Sequence, residues 1–312
     1  MSCLKIKVGN IELQNPIMPA SGTFSEGILE VINGNELGAF VTKTFTADVR
    51  TGNPMPRIAE IESGSMLNAI GIPSKGVNNY IKKTVPIYRD YTPPLVTSIS
   101  ANTAAEFAEL AAQLSDVDGI SVIEANISCP NIEAHGKAFA IDPESTAKVI
   151  SAIRKATHLP VWAKLTPNTT DIIGVAKAVE DNGGDAVVVG NTLLGMGIDI
   201  RTKRPKLGNI MGGYSGAGLK AVNLRMTYQC AKNISIPVIG CGGINNYEDA
   251  IEYLLAGATA VQVGTASFID PKTMTNIIKD LERYCSEQQL KHISQLTGAV
   301  IDDQFAPFTA FE

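Results

Sequence analysis

The chain has 312 residues, 45% of them hydrophobic, which is enough for a large core, and we expect a single domain over residues 1–312. The net charge is −5 and no cluster of lysine or arginine stands out. Nucleic acid is therefore disfavoured as a main partner, because nucleic-acid-binding proteins usually carry a basic face.

The opening sequence LKIKVGNIELQNPI alternates apolar and polar residues around Gly9-Asn10, and this alternation predicts a β-hairpin. Short apolar runs follow at intervals along the chain. Because they are apolar almost throughout, they predict strands that are covered on both faces. We place eight strands near residues 17–20, 39–43, 95–99, 121–126, 161–165, 186–190, 237–240 and 260–263.

Segments with apolar residues at helical spacing lie between most of these strands. The clearest helices are predicted at residues 104–115, 143–156, 170–183 and 246–258. Residues 44–94 are too long for an ordinary connection between two strands. Within them, residues 57–71 predict an extra pair of strands, and residues 74–89 predict a further helix.

Strands that alternate with helices indicate a parallel sheet, and eight of them favour a closed barrel. The alternative is an open doubly wound sheet, which needs a glycine-rich turn after its first strand and an acidic residue about twenty positions later. Here the first strand is followed by SGTFSEG, which lacks the GxGxxG pattern. We therefore predict an α/β fold, a (β/α)8 TIM barrel with an N-terminal hairpin and inserted strands in the loops at its C-terminal face.

The predicted strand ends carry polar residues, and this face of a barrel is where its chemistry gathers. Hydroxyls, amides, glycines and two lysines occur there instead of the mixed charges of random loops. A lysine at a strand end is usually solvated, but two at the same end of the barrel favour a ligand site. The residues are Ser21, Gly22, Lys43, Thr44, Ser98, Ser100, Asn126, Cys129, Asn131, Lys164, Asn191, Thr192, Gly242, Gly243, Gly264 and Thr265.

The glycines after the last two strands indicate a phosphate-bearing ligand. Gly242 and Gly243 follow the seventh strand, and Gly264 and Thr265 follow the eighth. Barrels often bind phosphate at this place through backbone N–H groups, and glycine lets the backbone approach the phosphate closely. Each glycine taken singly could equally be a turn former, and the pattern does not identify the ligand.

Cys129 lies in the sequence NISCPN, directly after the fourth strand. A single cysteine is usually an inert packing residue, but Asn126, Ser128 and Asn131 surround this one with hydrogen-bonding groups. The following sequence, NIEAHGKAFAID, has the small and polar residues of a mobile lid. A thiolate at this position could remove a proton from carbon.

The other cysteines and the histidines do not indicate a metal site. The five cysteines have no CxxC spacing, and the three histidines have no HExxH spacing. We therefore expect no metal and no iron–sulfur cluster held by this chain alone. No apolar run approaches the ~18 residues that span a membrane, and the N-terminus lacks a signal peptide, so we expect a cytoplasmic protein without a membrane partner.

A set of short motifs makes the chain resemble the class 1 dihydroorotate dehydrogenases over nearly its full length. The motifs are PASGTF (19–24), TKT (42–44), MLNAIGIPSKG (66–76), NISCPN (126–131), WAKLTPN (162–168), GNTLLGM (190–196), GGYSGAG (212–218), GCGGI (240–244) and VQVGTA (261–266). The resemblance implies a barrel that holds FMN and oxidises (S)-dihydroorotate to orotate in the synthesis of UMP, a pyrimidine nucleotide.

The resemblance also implies roles for individual residues. Cys129 is the expected general base, which removes the C5 proton of dihydroorotate while a hydride leaves C6. The expected substrate-binding residues are Lys43, Asn68, Ala69, Ile70, Gly71, Ile72, Asn126, Asn131, Asn191 and Thr192. The expected FMN-binding residues are Ser21, Lys43, Thr44, Ser98, Asn126, Lys164, Gly190, Gly216, Gly242, Gly243, Gly264 and Thr265.

Within class 1, the cysteine and the lid sequence resemble the NAD-linked B type more than the fumarate-using A type. The B type implies a homodimer of barrels that joins a subunit carrying FAD and an iron–sulfur cluster, in a heterotetramer. Three alternatives stay open. They are the A type, another FMN barrel that acts on a pyrimidine, such as a dihydropyrimidine dehydrogenase domain or a dihydrouridine synthase, and a barrel that binds a phosphorylated ligand without chemistry.

Overall fold

A sheet of eight parallel strands lies at the centre of the computed structural model, which describes residues 2–61, 64–128 and 138–304. Every residue in these strands is buried, because helices cover one face of the sheet and the barrel interior covers the other. The strands, in chain order, are Ile17–Pro19, Phe40–Val41, Leu95–Ile99, Val122–Asn126, Val161–Lys164, Ala186–Val189, Val238–Cys241 and Ala260–Val263.

Strands that follow each other in sequence are neighbours in space. The second to the eighth strand form parallel pairs one after another, and the eighth pairs with the first. Between the first and second strands, the N–H of Gly38 donates to the carbonyl of Ile17 at 2.8 Å. This order confirms the predicted (β/α)8 barrel. That residues 1–312 form a single domain stays a prediction.

Helices connect the strands on the outside of the barrel. The longer ones are Ala104–Ser115, Pro143–Ala156, Ile172–Asp181, Lys220–Ala231, Tyr247–Leu255 and Thr273–Glu287, and Ala266–Ile269 is a short one. The helices predicted at 104–115 and 143–156 are confirmed to the residue, and those at 170–183 and 246–258 are shorter at both ends. Within the described residues, no helix combines the length and the apolar composition needed to cross a membrane.

The predicted N-terminal hairpin is confirmed, with Ile6–Val8 antiparallel to Ile11–Leu13. Apolar side chains from both of its strands belong to the main hydrophobic core. A Cβ on Gly9, in its turn, would lie 3.8 Å from the carbonyl oxygen of Asp185, which precedes the sixth barrel strand. The hairpin therefore packs at the amino end of the barrel and leaves the carboxyl end open.

Inserted strands form a second sheet at the carboxyl end. Ile58–Glu60 and Ser65–Asn68 are the extra pair that the sequence predicts. They join Met211–Gly216 and Leu193–Met196, which come from the connection after the sixth barrel strand and were not predicted. Two short ribbons pair Val49–Arg50 with Ser74–Lys75 and Ile198–Asp199 with Arg204–Pro205.

The helix predicted at residues 74–89 is shorter and less regular than expected. It consists of α-helical turns at Val77–Asn79 and Val85–Tyr88 with a π-helical segment at Tyr80–Thr84 between them. It begins late because residues 74 and 75 belong to a strand. Pro86 has no N–H to donate, so the regular α-helical hydrogen bonds cannot continue through it.

Candidate active site

A cavity of about 790 Å³ opens at the carboxyl end of the barrel, between the strand ends and the inserted sheet. Ligand pockets typically measure about 300–1,000 Å³. The sequence-predicted residues that line it are Ser21, Lys43, Thr44, Asn68, Ala69, Ile70, Gly71, Ile72, Asn126, Lys164, Gly190, Asn191, Thr192, Gly216, Gly242, Gly243, Gly264 and Thr265. The fold thus brings residues from distant parts of the chain to one site.

Four of the predicted residues stand apart from this set, and one of them, Ser100, is buried and does not line the cavity. Cys129 and Asn131 lie outside the described residues, as does much of the predicted lid, so their contacts stay predictions. Ser98 is fully buried and does not line the cavity. Its Oγ lies 2.8 Å from Oγ1 of Thr44, which does line the cavity. Ser98 is therefore connected to the cavity lining through Thr44.

Glycines leave the backbone accessible at one end of the cavity. Gly242 and Gly243 follow the seventh strand with φ of +129° and +70°. A Cβ on Gly243 would lie 2.6 Å from the backbone nitrogen of Lys220, so only glycine fits there. After the eighth strand, Thr265 donates its hydroxyl to Oγ of Ser215 at 2.8 Å. Backbone and hydroxyl groups therefore form this end, as a bound phosphate requires.

The opposite wall comes from the inserted sheet. Asn68 ends the strand Ser65–Asn68, and its Nδ2 donates to the carbonyl of Gly213 on the neighbouring strand at 3.4 Å. The next residues turn along the cavity, with positive φ at Gly71 (+75°) and Ile72 (+47°). A β-branched residue rarely adopts this conformation, and such strained backbone is concentrated at ligand sites.

Lys164 ends the fifth strand and is buried inside the barrel, with 2% of its surface exposed. Its Nζ donates to Oε1 of Gln262 at 2.6 Å and lies 3.7 Å from Sγ of Cys241. Burial raises the pKa of the Cys241 thiol, although the charge of Lys164 acts in the opposite direction. The thiol is therefore neutral at neutral pH, and Lys164 provides a buried positive charge beside the cavity.

Lys43 differs from Lys164 in its surroundings. It follows the second strand and is exposed, although it also lines the cavity. Its Nζ donates to the carbonyl of Pro73 at 3.0 Å, which draws the side chain toward the turn after Asn68. The two lysines predicted at the strand ends thus reach the same cavity, one from the interior and one from the rim.

Two asparagines are held in fixed orientations by a chain of hydrogen bonds. Nδ2 of Asn126 donates to Oγ1 of Thr44 at 3.1 Å, and Oγ of Ser128 donates to Oδ1 of Asn126 at 2.5 Å. Nδ2 of Asn191 in turn donates to Oγ of Ser128 at 2.5 Å. The sequence indicated Ser128 only as a polar neighbour of Cys129, whereas the structure makes it the link between the two amides.

Asn168 also lines the cavity but was not predicted as a site residue. Its Nδ2 donates to the carbonyl of Thr192 at 3.0 Å, and its Oδ1 accepts from the N–H of Leu194 at 2.8 Å. It therefore joins the loop after the fifth strand to the loop after the sixth. The motif WAKLTPN contains it, and its place just beyond the strand end is the signal that could have identified it.

Comparison with known proteins gives one consistent result. Residues 3–285 match the family model of dihydroorotate dehydrogenase. A protein of Desulforamulus reducens, named dihydroorotate dehydrogenase B (NAD(+)), catalytic subunit, is 45% identical over 298 residues, which are 95% of this chain and 98% of that protein. Proteins of the same name from Trichlorobacter lovleyi and Shouchella clausii are each 44% identical, over 95% and 96% of this chain and 98% of theirs.

These matches confirm the resemblance that the sequence motifs indicate. They extend over the barrel strands, the inserted sheet and the residues that line the cavity, because only residues 1–2 and 286–312 lie outside the family model. Dihydroorotate dehydrogenases are oxidoreductases that use a flavin. The chain belongs to the dihydroorotate dehydrogenase family.

Proposed function

We propose that this chain oxidises dihydroorotate to orotate in pyrimidine biosynthesis and that FMN is its flavin. The relatives that it matches over nearly the full length of both chains are named dihydroorotate dehydrogenase B (NAD(+)), catalytic subunit. The observation that carries the proposal is a single cavity whose lining combines a glycine-rich end, a buried lysine and several amides.

FMN fits the chemistry of this lining. Gly242, Gly243 and Gly264 would bind its phosphate through backbone N–H groups, because glycine lets the backbone approach the phosphate closely, and Thr265 would add a hydroxyl. When bound, the flavin accepts the hydride that leaves the substrate. Its further contacts would be Ser21, Lys43, Thr44, Ser98 through Thr44, Asn126, Lys164, Gly190 and Gly216.

The buried charge of Lys164 would favour this reaction. A flavin gains negative charge on reduction, and a fixed cation in a site that excludes water stabilises such a charge more than it would in bulk solvent. Because the ammonium group is already held by Gln262, little reorganisation is needed when the charge develops. Lys164 would therefore lie against the ring system of the flavin.

Amides would recognise the substrate. Orotate and dihydroorotate present ring N–H and C=O groups, and an asparagine side chain offers both a donor and an acceptor. Asn68, Asn126 and Asn191 line the cavity with fixed orientations. Lys43, at the rim, would attract the carboxylate of the substrate. The remaining substrate contacts would be Ala69, Ile70, Gly71, Ile72, Asn131 and Thr192.

Cys129 would be the general base. In this proposal its thiolate removes the proton from C5 of dihydroorotate, the proton goes to Sγ, and the hydride leaves C6. A positioned base typically contributes about 10²–10⁴-fold to such a step. The residue before it, Ser128, is hydrogen-bonded to both Asn126 and Asn191, so the chain enters this position from a fixed point beside the proposed substrate amides.

The test is anaerobic reduction of the purified protein. We expect a yellow protein whose flavin absorption is bleached by dihydroorotate and restored by an oxidant, with orotate as the product. A colourless protein that cannot be reconstituted with FMN would contradict the proposal and would favour a barrel that binds a phosphorylated ligand without chemistry. A flavoprotein that dihydroorotate does not reduce would favour another FMN barrel.

We further propose that this chain works with a second subunit. The relatives are named as catalytic subunits with NAD(+) as acceptor. We expect a homodimer of barrels in a heterotetramer with a subunit that carries FAD and an iron–sulfur cluster, in the cytoplasm. Dihydroorotate oxidation is measured with NAD and with fumarate, before and after removal of co-purifying proteins. NAD reduction only in the co-purified form supports the proposal, and fumarate reduction by the separated chain contradicts it.

A further inference from the structure

Glu124 is a carboxylate in the interior of the barrel that the proposed function leaves unused. It lies in the fourth strand, two residues before Asn126, and is fully buried. Both of its oxygens are occupied: Oε2 accepts from Nε2 of Gln262 at 2.6 Å, and Oε1 accepts from Oγ of Ser98 at 3.0 Å. A buried carboxylate is costly unless it has such partners, so its presence below the cavity calls for a reason.

One chain of hydrogen bonds leads from Glu124 to Lys164. The amide of Gln262 receives Lys164 Nζ on its oxygen and donates from its nitrogen to Glu124, both at 2.6 Å. The ammonium group can only donate and the carboxylate can only accept, so this is the one orientation of the amide that satisfies both neighbours. The carboxylate of Glu124 and the ammonium group of Lys164 are therefore linked through a single amide.

A second chain leads from Glu124 toward the amides of the cavity. Since Ser98 gives its single proton to Glu124, the hydroxyl of Thr44, 2.8 Å away, must donate to Ser98. Oγ1 of Thr44 is then left as the acceptor for Nδ2 of Asn126. Every donor in this chain, as far as the amide of Asn191, points toward Glu124.

We propose that Glu124 is a positioning residue for both ligand sites, because its carboxylate is the common terminus that fixes the direction of hydrogen bonds in the two chains. Toward the flavin it presents the ammonium group of Lys164 through Gln262. Toward the substrate it orients Asn126 through Ser98 and Thr44. The assignment of the two directions rests on the proposed function.

Replacing Glu124 by glutamine separates charge from shape. The amide has the size of the carboxylate, but one of its two ends is an NH2 group that donates. Because Nε2 of Gln262 donates to residue 124, the amide oxygen faces Gln262 and the NH2 group faces Ser98. The proton of Ser98 is then free to point elsewhere, so the orientation of Asn126 is no longer imposed. At the same time Lys164 loses its nearby negative charge, and the site becomes more favourable for a reduced, negatively charged flavin.

The experiment measures two equilibrium properties of the FMN-loaded protein, the two-electron midpoint potential of its flavin and its dissociation constant for orotate. In Glu124→Gln we expect the potential to rise by about 30 mV, which corresponds to about tenfold in the ratio of affinities for reduced and oxidised flavin. We expect orotate to bind about fivefold more weakly, which corresponds to about 1 kcal/mol for one misdirected hydrogen bond.

The matched control is Glu180→Gln. Oε1 of Glu180 accepts from the backbone N–H groups of Ser235 and Ile236 at 2.7 and 3.2 Å, before the seventh strand and therefore at the amino end of the barrel. This variant loses the same charge far from the cavity, and we expect both properties to stay unchanged. Equal potentials and equal orotate affinities in the two variants and the unaltered chain would overturn the proposal.

A second variant tests, with a smaller change, the hydrogen bonds that lead from Glu124 through Ser98 and Thr44 to Asn126. Ser98→Ala removes one hydroxyl from that series of hydrogen bonds. Its control, Thr275→Val, removes a buried hydroxyl that donates to the carbonyl of Lys272, the N-cap of its own helix. We expect weaker orotate binding in Ser98→Ala alone, with little change of the potential. The same orotate affinity in both would overturn the proposal even if Glu124→Gln does not fold.

Failure of the proposed function would give a different result. In that case orotate would not perturb the flavin spectrum of the unaltered protein at all. The assignment of the hydrogen bonds from Glu124 to Asn126 to a substrate site would then also be wrong. Normal orotate binding and flavin reduction in the unaltered chain, with no response to the Glu124 and Ser98 variants, would overturn only the role of Glu124.

Discussion

At Gly242 a single added methyl group should disturb the barrel strongly. Its φ is +129°, a conformation that residues with a Cβ rarely adopt. A Cβ there would lie 2.3 Å from Nδ2 of Asn223, far inside contact distance. Asn223 cannot simply move away, because it is 1% exposed and its Nδ2 donates to the carbonyls of Cys241 at 2.7 Å and Asn191 at 3.3 Å.

The expected loss of stability in Gly242→Ala follows from these contacts. Strained backbone of this kind costs about 1–3 kcal/mol. Displacing Asn223 removes two hydrogen bonds of about 1 kcal/mol each, and these bonds hold the ends of the sixth and seventh strands together. The total is about 3–5 kcal/mol. For a chain of this size we expect the thermal midpoint to fall by roughly 6–10 °C.

The assay is a double-mutant cycle of Gly242→Ala with Asn223→Ala, in which the stability of each variant is measured by thermal unfolding monitored by far-UV circular dichroism. Asn223→Ala removes the same two hydrogen bonds and opens the space that a methyl group on residue 242 needs. The double variant should therefore lose about 2 kcal/mol less than the sum of the single variants. Gly9→Ala is the control for backbone strain without a steric clash. Its φ is +61°, and the added Cβ would lie 3.8 Å from the carbonyl oxygen of Asp185, which is an ordinary contact distance.

Two results would refute this reasoning. If Gly242→Ala loses no more stability than Gly9→Ala, the contact with Asn223 does not determine the cost. If the losses of the single variants simply add in the double variant, the methyl group and Asn223 do not compete for the same space. We also expect FMN binding to weaken in Gly242→Ala and to stay normal in Gly9→Ala, because Gly242 lines the cavity and Gly9 does not.

Three further outcomes are expected. Cys129→Ala should keep its FMN but lose most of its reduction by dihydroorotate, about 10²–10⁴-fold in rate, and stopped-flow bleaching at neutral pH measures this. Burial raises the pKa of Tyr80 from 10.0 to about 12. The contribution of Tyr80 to the free energy of unfolding is fully present below pH 10. It falls as the pH rises toward 12, because in this range the Tyr80 hydroxyl ionises only in the unfolded state. In urea titrations, Tyr80→Phe should therefore remove about 1.4 kcal/mol of this loss of stability per pH unit. Asp142→Ala should cost about 1 kcal/mol in the same titrations, since Asp142 caps the helix Pro143–Ala156 by accepting from the N–H of Ser145 at 2.9 Å; unchanged stability would exclude this capping role.

Local patterns were sufficient to predict the barrel itself. Each barrel strand is an apolar run, and the burial of both its faces is what makes that run continuous. The helices Ala104–Ser115 and Pro143–Ala156 start at capping side chains, Thr103 and Asp142, which are visible in the sequence. The ends of Ile172–Asp181 were less certain because asparagine and glycine after it allow several ways of ending a helix.

The inserted sheet was only half predictable. Residues 57–71 predict a pair of strands, and Ile58–Glu60 and Ser65–Asn68 are that pair. The partner strands Leu193–Met196 and Met211–Gly216 contain glycines with little strand propensity of their own. Met211–Gly216 is a strand because it pairs with Ser65–Asn68, more than a hundred residues earlier, and Leu193–Met196 pairs in turn with Met211–Gly216. A local pattern does not contain that long-range information.

The glycines and amides of the cavity were predictable because position within the fold identifies them. A residue just after a barrel strand lies at the carboxyl end whatever its neighbours are. Glu124 and Gln262 could not be found in this way. Each lies inside an apolar run, where the role of a polar residue cannot be inferred until its hydrogen-bond partner is known. That partner is 138 residues away. Only closure of the barrel puts the two side chains at 2.6 Å.

The same long-range contacts connect ligand binding to the stability of the barrel. Thr44 meets Asn126 across 82 residues, Asn68 meets Gly213 across 145, and Glu124 meets Gln262 across 138. None of these pairs exists in an open chain, so a ligand held by them binds only the closed barrel. A ligand at a hundred times its dissociation constant then adds about 2.7 kcal/mol to the free energy of unfolding. Because Thr44, Asn126 and Gln262 lie in or shortly after the second, fourth and eighth barrel strands, FMN should stabilise the barrel as one cooperative unit and not merely order the loops at its mouth.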